Sequence, residues 1–416
     1  MTKKQKNYQV LARKYRPQKF SEMVGQPVLI QTLTNAIKNN KIAHSFILTG
    51  IRGIGKTTTA RLIAKSLNCV GKDGKGSETI DPCGVCDHCV SIKNSTDQDV
   101  IEFDAASHTG VGDIRDIIET INYAPVSAKY KVYIIDEVHM LSNSAFNALL
   151  KTLEEPPEHV KFIFATTEIR KVPITILSRC QRFDLRRLSF DEIKQNLANI
   201  GKQEGYEVEE GALSLIAVNS EGSARDSLSL LDRAFSHNNH NKILSEKTVF
   251  DMLGLAGKNN IYDLFEGLLK GDVEVVLKKF DEIYSVSVDT KAILQDLLEV
   301  NHNVTLVKTV KSFIKNSHLP NEQAKRIEDL ASKISLGSLT KIWQMLLRGI
   351  DDLRVAPNQK NAMEMLLVKI CYGSKLPELE QIINRINNCK DNSKNSLVDS
   401  VLNNFKGANI IDKQNN

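Results

Sequence analysis

The hydrophobic rhythm of the chain changes near Asp184. Before it, apolar runs of strand length alternate with stretches of helical spacing: "SFILTG" precedes "KTTTARLIAKSL", and "KVYIIDE" precedes "FNALLKTLEE". In the second helical stretch Phe146, Leu149, Leu150 and Leu153 fall at i, i+3, i+4 and i+7, which puts them on one face. Pro156 and Pro157 end that helix, and "VKFIFATT" reads as the next strand. The strands are apolar throughout rather than alternating. That pattern predicts an α/β fold, a parallel sheet with helices on both faces.

Beyond Asp184 the strand signal fades. Ser189 with Glu192 forms a capping box that opens a helix, and Ser223 with Asp226 repeats the pattern in "GSARDS". The segment 186–252 therefore reads as a small all-helical domain that leans on the first. From about Lys258 a longer helical block begins. Leu264, Phe265, Leu268 and Leu269, then Val273, Val276, Leu277 and Phe280, form amphipathic stripes with Gly271–Asp272 as the turn between them. The expected organisation is 1–185, with an insertion at about 69–90, then 186–252, 253–375, and a flexible tail over 376–416 that is rich in Asn, Lys and Ser.

Composition narrows the class. A chain of 416 residues is too long for one core, and 41% hydrophobic with 25% charged residues is ordinary for a globular protein. The basic start "MTKKQKNYQV" has no apolar core behind it, so a secretory signal is not expected, and no apolar run is long enough for a membrane span. A net charge of +5 permits a nucleic-acid partner without arguing for one. The seven cysteines then read as thiols or metal ligands in a reducing compartment, and the expected location is cytoplasmic.

Two stretches carry phosphate chemistry. "GIRGIGKT" (Gly50–Thr57) fits G-x-x-x-x-G-K-[ST] between a strand and a helix. Gly50, Gly53 and Gly55 let backbone N–H groups close on phosphate oxygens, and the helix N-terminus adds a positive field. Lys56 would reach the β- and γ-phosphates of ATP, the Thr57 hydroxyl would ligate Mg²⁺, and Thr58 completes the nucleotide-binding set. Eighty residues after Lys56, "VYIIDEVH" ends a strand in Asp136 and Glu137. Asp136 would hold Mg²⁺, and Glu137 would orient or deprotonate the attacking water. His139 and Met140 read as packing residues.

The cysteines cluster. Cys83, Cys86 and Cys89 form C-x₂-C-x₂-C, with Cys69 fourteen residues before them, in an insertion poor in apolar residues. Four thiolates suit a closed structural Zn²⁺ site that staples such a loop; an iron–sulfur cluster is the alternative, and His88 is a spare ligand. Cys180, Cys371 and Cys389 stand alone.

These stretches together with "LARKYRPQKFSEMVGQ", "ILSRCQRF" and "GSARDSLSLLD" resemble the gamma/tau ATPase subunits of bacterial DNA polymerase III, the AAA+ motor of the sliding-clamp loader. The resemblance covers about residues 8–375. It implies that Thr167 (or Thr166, one register off) is the sensor of the γ-phosphate, that Arg225 is a second sensor at the start of a lid helix, and that Arg16 and Pro17 lie beside the adenine. It also implies that Arg179, in "SRC", reaches the ATP of a neighbouring subunit. On "SRC" alone, a surface arginine paired with a local carboxylate is the simpler reading.

The implied partners are delta- and delta-prime-type subunits, further copies of the chain in a pentameric ring, the sliding clamp and primed DNA. Helicase and polymerase contacts are not expected from so short a tail. His108 departs from the basic or polar residue expected in a DNA-facing stretch. Rival readings are a branch-migration helicase, which leaves the cysteine insertion unexplained, and a non-hydrolysing scaffold subunit, which Gly55–Lys56–Thr57 and Asp136–Glu137 oppose. A zinc-dependent DNA-binding module would need basic and aromatic residues around the cysteines, and they are absent.

Overall fold

Central strands of a parallel sheet are covered on both faces, so the continuous apolar runs find their place there. In the computed structural model, β1 (Ser45–Thr49), β2 (Val100–Asp104), β3 (Lys131–Asp136), β4 (Val160–Thr166) and β5 (Gln181–Asp184) form one sheet in the order β2-β3-β4-β1-β5. All its pairings are parallel, with Thr49 beside both Thr166 and Asp184, and Asp104 beside Asp136. Every residue of β1 and β4 is buried. The structure describes residues 8–375 except 108–110, 239–241, 255, 287–288, 311–312 and 314–320. His108 and the tail 376–416 thus lie outside the described residues.

The helix Asn143–Glu154 buries Phe146, Leu149 and Leu153 as its spacing predicts, and Ser142 caps it by accepting from the Ala145 N–H. Two strands escaped the sequence reading. "VIEFD" (β2) and "QRFD" (β5) are the sheet's half-exposed edges; β2 carries Glu102 and Asp104, β5 is polar around Phe183, and only Phe183 is buried in β5.

Residues 186–252 fold as the helices Phe190–Glu204, Glu210–Asn219, Ala224–His237 and Glu246–Met252. The capping box of Ser189 and Glu192 is present in full, and Ser223 accepts from the Asp226 N–H. The segment is not purely helical: Glu207–Val208 pairs with Ile243–Leu244 in a short parallel ladder. This segment belongs to the same compact unit as the sheet, and that unit ends at Leu253.

A second unit begins at Gly254. Its helices Ala256–Lys270, Val273–Val286, Thr290–Thr309, Asn321–Lys333, Leu336–Val355 and Gln359–Lys375 enclose their own core. Leu264, Phe265, Leu268, Val276 and Phe280 sit in it, as their stripes predict, with Leu297, Leu346 and Leu367.

Candidate nucleotide site and cysteine cluster

The loop Gly50–Gly55 leaves the carboxyl end of β1 and opens the helix Lys56–Asn68, so the helix's first N–H groups face the loop's hollow. Gly53 and Gly55 take φ of +76° and +107°, a region that costs other residues strain. At Gly53 space matters as well, because a Cβ there would stand 2.2 Å from Ser223 Oγ. The lid helix meets the loop directly at this point: the Arg225 N–H donates to the Gly53 carbonyl at 3.0 Å.

Lys56 is buried, and its Nζ donates to the carbonyls of Gly50 and Ile51, both at 3.0 Å. Burial pushes its ammonium below the ordinary lysine value, while the Glu137 and Asp136 carboxylates work the other way. Thr57 Oγ1 donates to Asp136 Oδ2 at 2.5 Å, so the two residues assigned to Mg²⁺ already share one corner. Thr58 follows in the first turn, half-buried. The fit to Mg²⁺ is chemical: a hydroxyl and a carboxylate are hard oxygen donors.

Strand order explains the rest. Because β4 is inserted between β1 and β3, its carboxyl end lies between the phosphate loop and the carboxylate pair. There Thr167 donates from its N–H and its hydroxyl to Glu137 Oε2, at 3.3 and 3.1 Å. Thr166 points elsewhere, to His139 Nδ1 at 3.1 Å, so of the two threonines Thr167 holds the carboxylate. Met140, expected to pack, is exposed. His139 keeps its side chain largely covered, as expected, yet it also touches site residues that no local spacing signalled.

The amino-terminal segment is tied to the lid. The Leu11 N–H donates to Asp232 Oδ2 at 3.3 Å, Tyr15 Oη donates to Glu204 Oε1 at 2.5 Å, and Lys14 pairs with the same carboxylate. Arg16 and Pro17 follow, half-buried. Burial holds Arg16 below its ordinary value; Arg61 adds to this, Glu102 opposes it, and Arg225 and Arg13 add further. Arg61 is committed to Glu102 through two bonds of 2.8 Å. Among the described residues neither Arg16 nor Arg225 forms a salt bridge, which suits groups that meet an anionic ligand.

Arg179 lies at the other end of the sheet. It follows the short helix Ile174–Leu177, and its carbonyl accepts from Ser45 Oγ at 2.6 Å. Ser45 starts β1 and Gly50 follows its end, so the two are roughly 16 Å apart at ~3.3 Å per residue. No arginine side chain spans that. Its guanidinium donates to the Thr175 carbonyl (2.7 Å), Ser178 Oγ (3.2 Å) and Glu154 Oε1 (2.5 Å). The local carboxylate of the simpler reading therefore exists. The pair is exposed, however, and such pairs are worth only about 0–1 kcal/mol.

Cys69, Cys83, Cys86 and Cys89 come together with their sulfurs all within 4.8 Å of one another. A tetrahedral zinc with ~2.3 Å bonds spaces its sulfurs about 3.8 Å apart, so the cluster is of the size to hold such an ion. Backbone N–H groups of Gly71 and Cys83 point at Cys69 Sγ, and that of Cys86 at Cys83 Sγ. Burial pushes the Cys89 and Cys69 thiols up. At Cys83 burial acts the same way, but N–H groups of Val85 and Cys86 outweigh it and bring the thiol down to about 7. His88 is not part of the cluster; its Nδ1 lies 3.1 Å from Asp97 Oδ2. Replacing Cys86 with Ser should abolish binding of one metal ion per chain and expose 70–86 to proteolysis, as read by metal analysis and limited digestion.

Phosphate loop, paired carboxylates one strand removed, and a helical lid seated on the loop define a P-loop module of the AAA+ class. Models of the DNA polymerase III delta subunit, of the clamp loader subunit ATPase lid domain, and of gamma and tau domain III match residues 25–189, 192–240 and 244–386 in turn. The chain belongs to the DNA polymerase III gamma/tau family. It is 40% identical to the gamma subunit of Buchnera aphidicola from Acyrthosiphon pisum over 366 residues, 88% of this chain and 99% of that one. It is also 40% identical to the tau subunit of Escherichia coli K12 over 372 residues, 89% of this chain but 56% of the relative. The chain thus spans little more than half of such longer relatives, 51% for the tau/gamma subunit of Haemophilus influenzae. Among solved structures, the Thermotoga maritima RuvB Holliday junction branch migration motor covers 62% of this chain and 80% of its own. Its TM-score of 0.43 and 17% identity are too low to carry a functional argument.

Proposed function

We propose that this chain is the ATPase subunit of the DNA polymerase III clamp loader, which uses ATP to open the sliding clamp and place it on primed DNA. The observation that carries this reading is the contact set Thr57–Asp136 and Thr167–Glu137: metal ligands and base are held where a scaffold subunit would need neither. In this reading the loop N–H groups and Lys56 cradle the phosphates, Arg225 closes over them from the lid, and Arg16 and Pro17 of the amino-terminal strap lie beside the adenine. Thr57 and Asp136 would hold Mg²⁺, which would supply charge neutralisation at the β- and γ-phosphates. Glu137, fixed by Thr167, accepts a proton from the attacking water. Arg179 serves the site of the next subunit, so hydrolysis depends on assembly.

The expected partners are delta- and delta-prime-type subunits, copies of this chain in a pentameric ring joined through 254–375, the clamp, and primed DNA read by backbone charge and shape. The four cysteines hold a structural zinc. Because the DNA is read through its backbone charge, DNA-stimulated turnover should fall as salt rises. The direct test is ATP turnover and nucleotide binding by the reconstituted loader with clamp and primed DNA. Lys56→Ala should weaken nucleotide binding on the order of tenfold to a hundredfold, from a lost charge-assisted contact of about 1.5–3 kcal/mol. Unchanged binding would remove the phosphate loop from the mechanism.

A further inference from the structure

Glu137 is held in an unusual way. It sits at φ +45°, in the left-handed region, just before the turn Val138–Met140. A non-glycine residue there is uncommon and needs its surroundings to fix it. Its carboxylate meets Thr167 N, Thr167 Oγ1 and His139 Nδ1 at 3.3, 3.1 and 3.4 Å, and all three fall on Oε2. None of these three contacts falls on Oε1.

The imidazole does more than touch Glu137. Its side chain is only 6% exposed, and the same Nδ1 lies 3.1 Å from Oγ1 of the fully buried Thr166. That hydroxyl in turn accepts from the Glu168 N–H at 3.0 Å. On the other side of the ring, Nε2 lies 3.6 Å from Glu168 Oε1. His139 therefore ties the end of β3, which carries the base, to the end of β4, which carries the sensing threonine. A buried polar ring placed between two carboxylates and a hydroxyl is a costly way to fill space that an aliphatic residue would fill better.

We propose that His139 is a positioning residue for hydrolysis, setting the rotamer of Glu137 through Oε2 and locking the β3 and β4 termini in register. The proposal rests on the reading of Glu137 as the base of an ATPase. Displacement of a reacting group by about 1 Å costs on the order of 10²-fold in rate, so His139→Ala should lower kcat by about that factor. Its KM and nucleotide affinity should stay within about twofold, since Lys56 and the loop are untouched. His139→Asn, whose amide can offer an N–H near the place of Nδ1, should recover most of the loss. Thr166→Val keeps the buried volume and removes the hydroxyl; it should lower kcat by on the order of tenfold, and His139→Ala should add less on top of it than alone.

These variants would be measured in the full chain within the reconstituted loader, with thermal unfolding alongside. A kcat loss that Asn rescues, at constant nucleotide affinity, supports the proposal. If His139→Ala does not fold, Thr166→Val decides: a lower kcat at constant affinity supports the positioning role, and native kcat overturns it. If the native chain turns over ATP and His139→Ala matches it, or Asn and Ala lose rate equally, the positioning role falls alone. If the native chain turns over no ATP, the ATPase reading fails and takes this proposal with it.

Discussion

Glu137→Gln should bind ATP as well as the native chain and hydrolyse it on the order of 10²–10⁴ times more slowly, the usual worth of a positioned base. The amide is nearly isosteric, and its oxygen can still accept the two bonds that Thr167 donates to Oε2. What it loses is the charge and basicity needed to take a proton from an attacking water. Asp136 and Thr57 keep their contact, so the metal corner survives. Single-turnover hydrolysis measured beside equilibrium nucleotide binding separates the two effects. A parallel loss of binding would mean that Glu137 holds the loop together and has no separate part in the chemistry.

Arg179→Ala should have the larger effect, about 10³–10⁵ in DNA-stimulated turnover, the range for an arginine supplied to a phosphoryl-transfer site by a neighbour. Binding of ATP to the chain's own site should be unchanged, because Arg179 is anchored at Ser45, the amino end of β1, while the phosphate loop follows its carboxyl end. The Glu154 pair does not oppose this role. A solvent-exposed bond worth about 0–1 kcal/mol is readily exchanged for a triphosphate presented by an adjacent subunit. Glu154→Gln, by contrast, should cost little in turnover.

How much of this was legible in the sequence follows from sheet geometry. The central strands announced themselves because both their faces are buried, as in the fully buried β1 and β4. The edge strands did not: β2 carries Glu102, which faces Arg61, and β5 is three polar residues around Phe183. Motifs whose parts are close in sequence were readable, including the phosphate loop, Asp136–Glu137 and the three cysteines from Cys83. Contacts made by strand order were not. Nothing local links His139 to Thr166, Ser45 to Arg179, or Arg225 to Gly53, since each pair meets only after β4 lies beside β3, β5 pairs with β1, or the lid folds back. The family resemblance supplied the arginine's proposed role; the geometry adds that Arg179 lies by Ser45, at the amino end of β1, away from its own chain's phosphate loop.

The central claim is that each active site is built from two chains. The measurement that tests it most directly is ATP turnover by assemblies mixed from Lys56→Ala chains and Arg179→Ala chains, compared with assemblies of either variant alone, at ATP too dilute to fill the Lys56→Ala sites. The account predicts that mixing restores turnover, because an Arg179→Ala chain keeps an intact phosphate loop and meets the arginine of a Lys56→Ala neighbour. If mixed assemblies form but stay as inactive as either variant alone, Arg179 acts within its own chain or not at all, and the shared-site account is wrong.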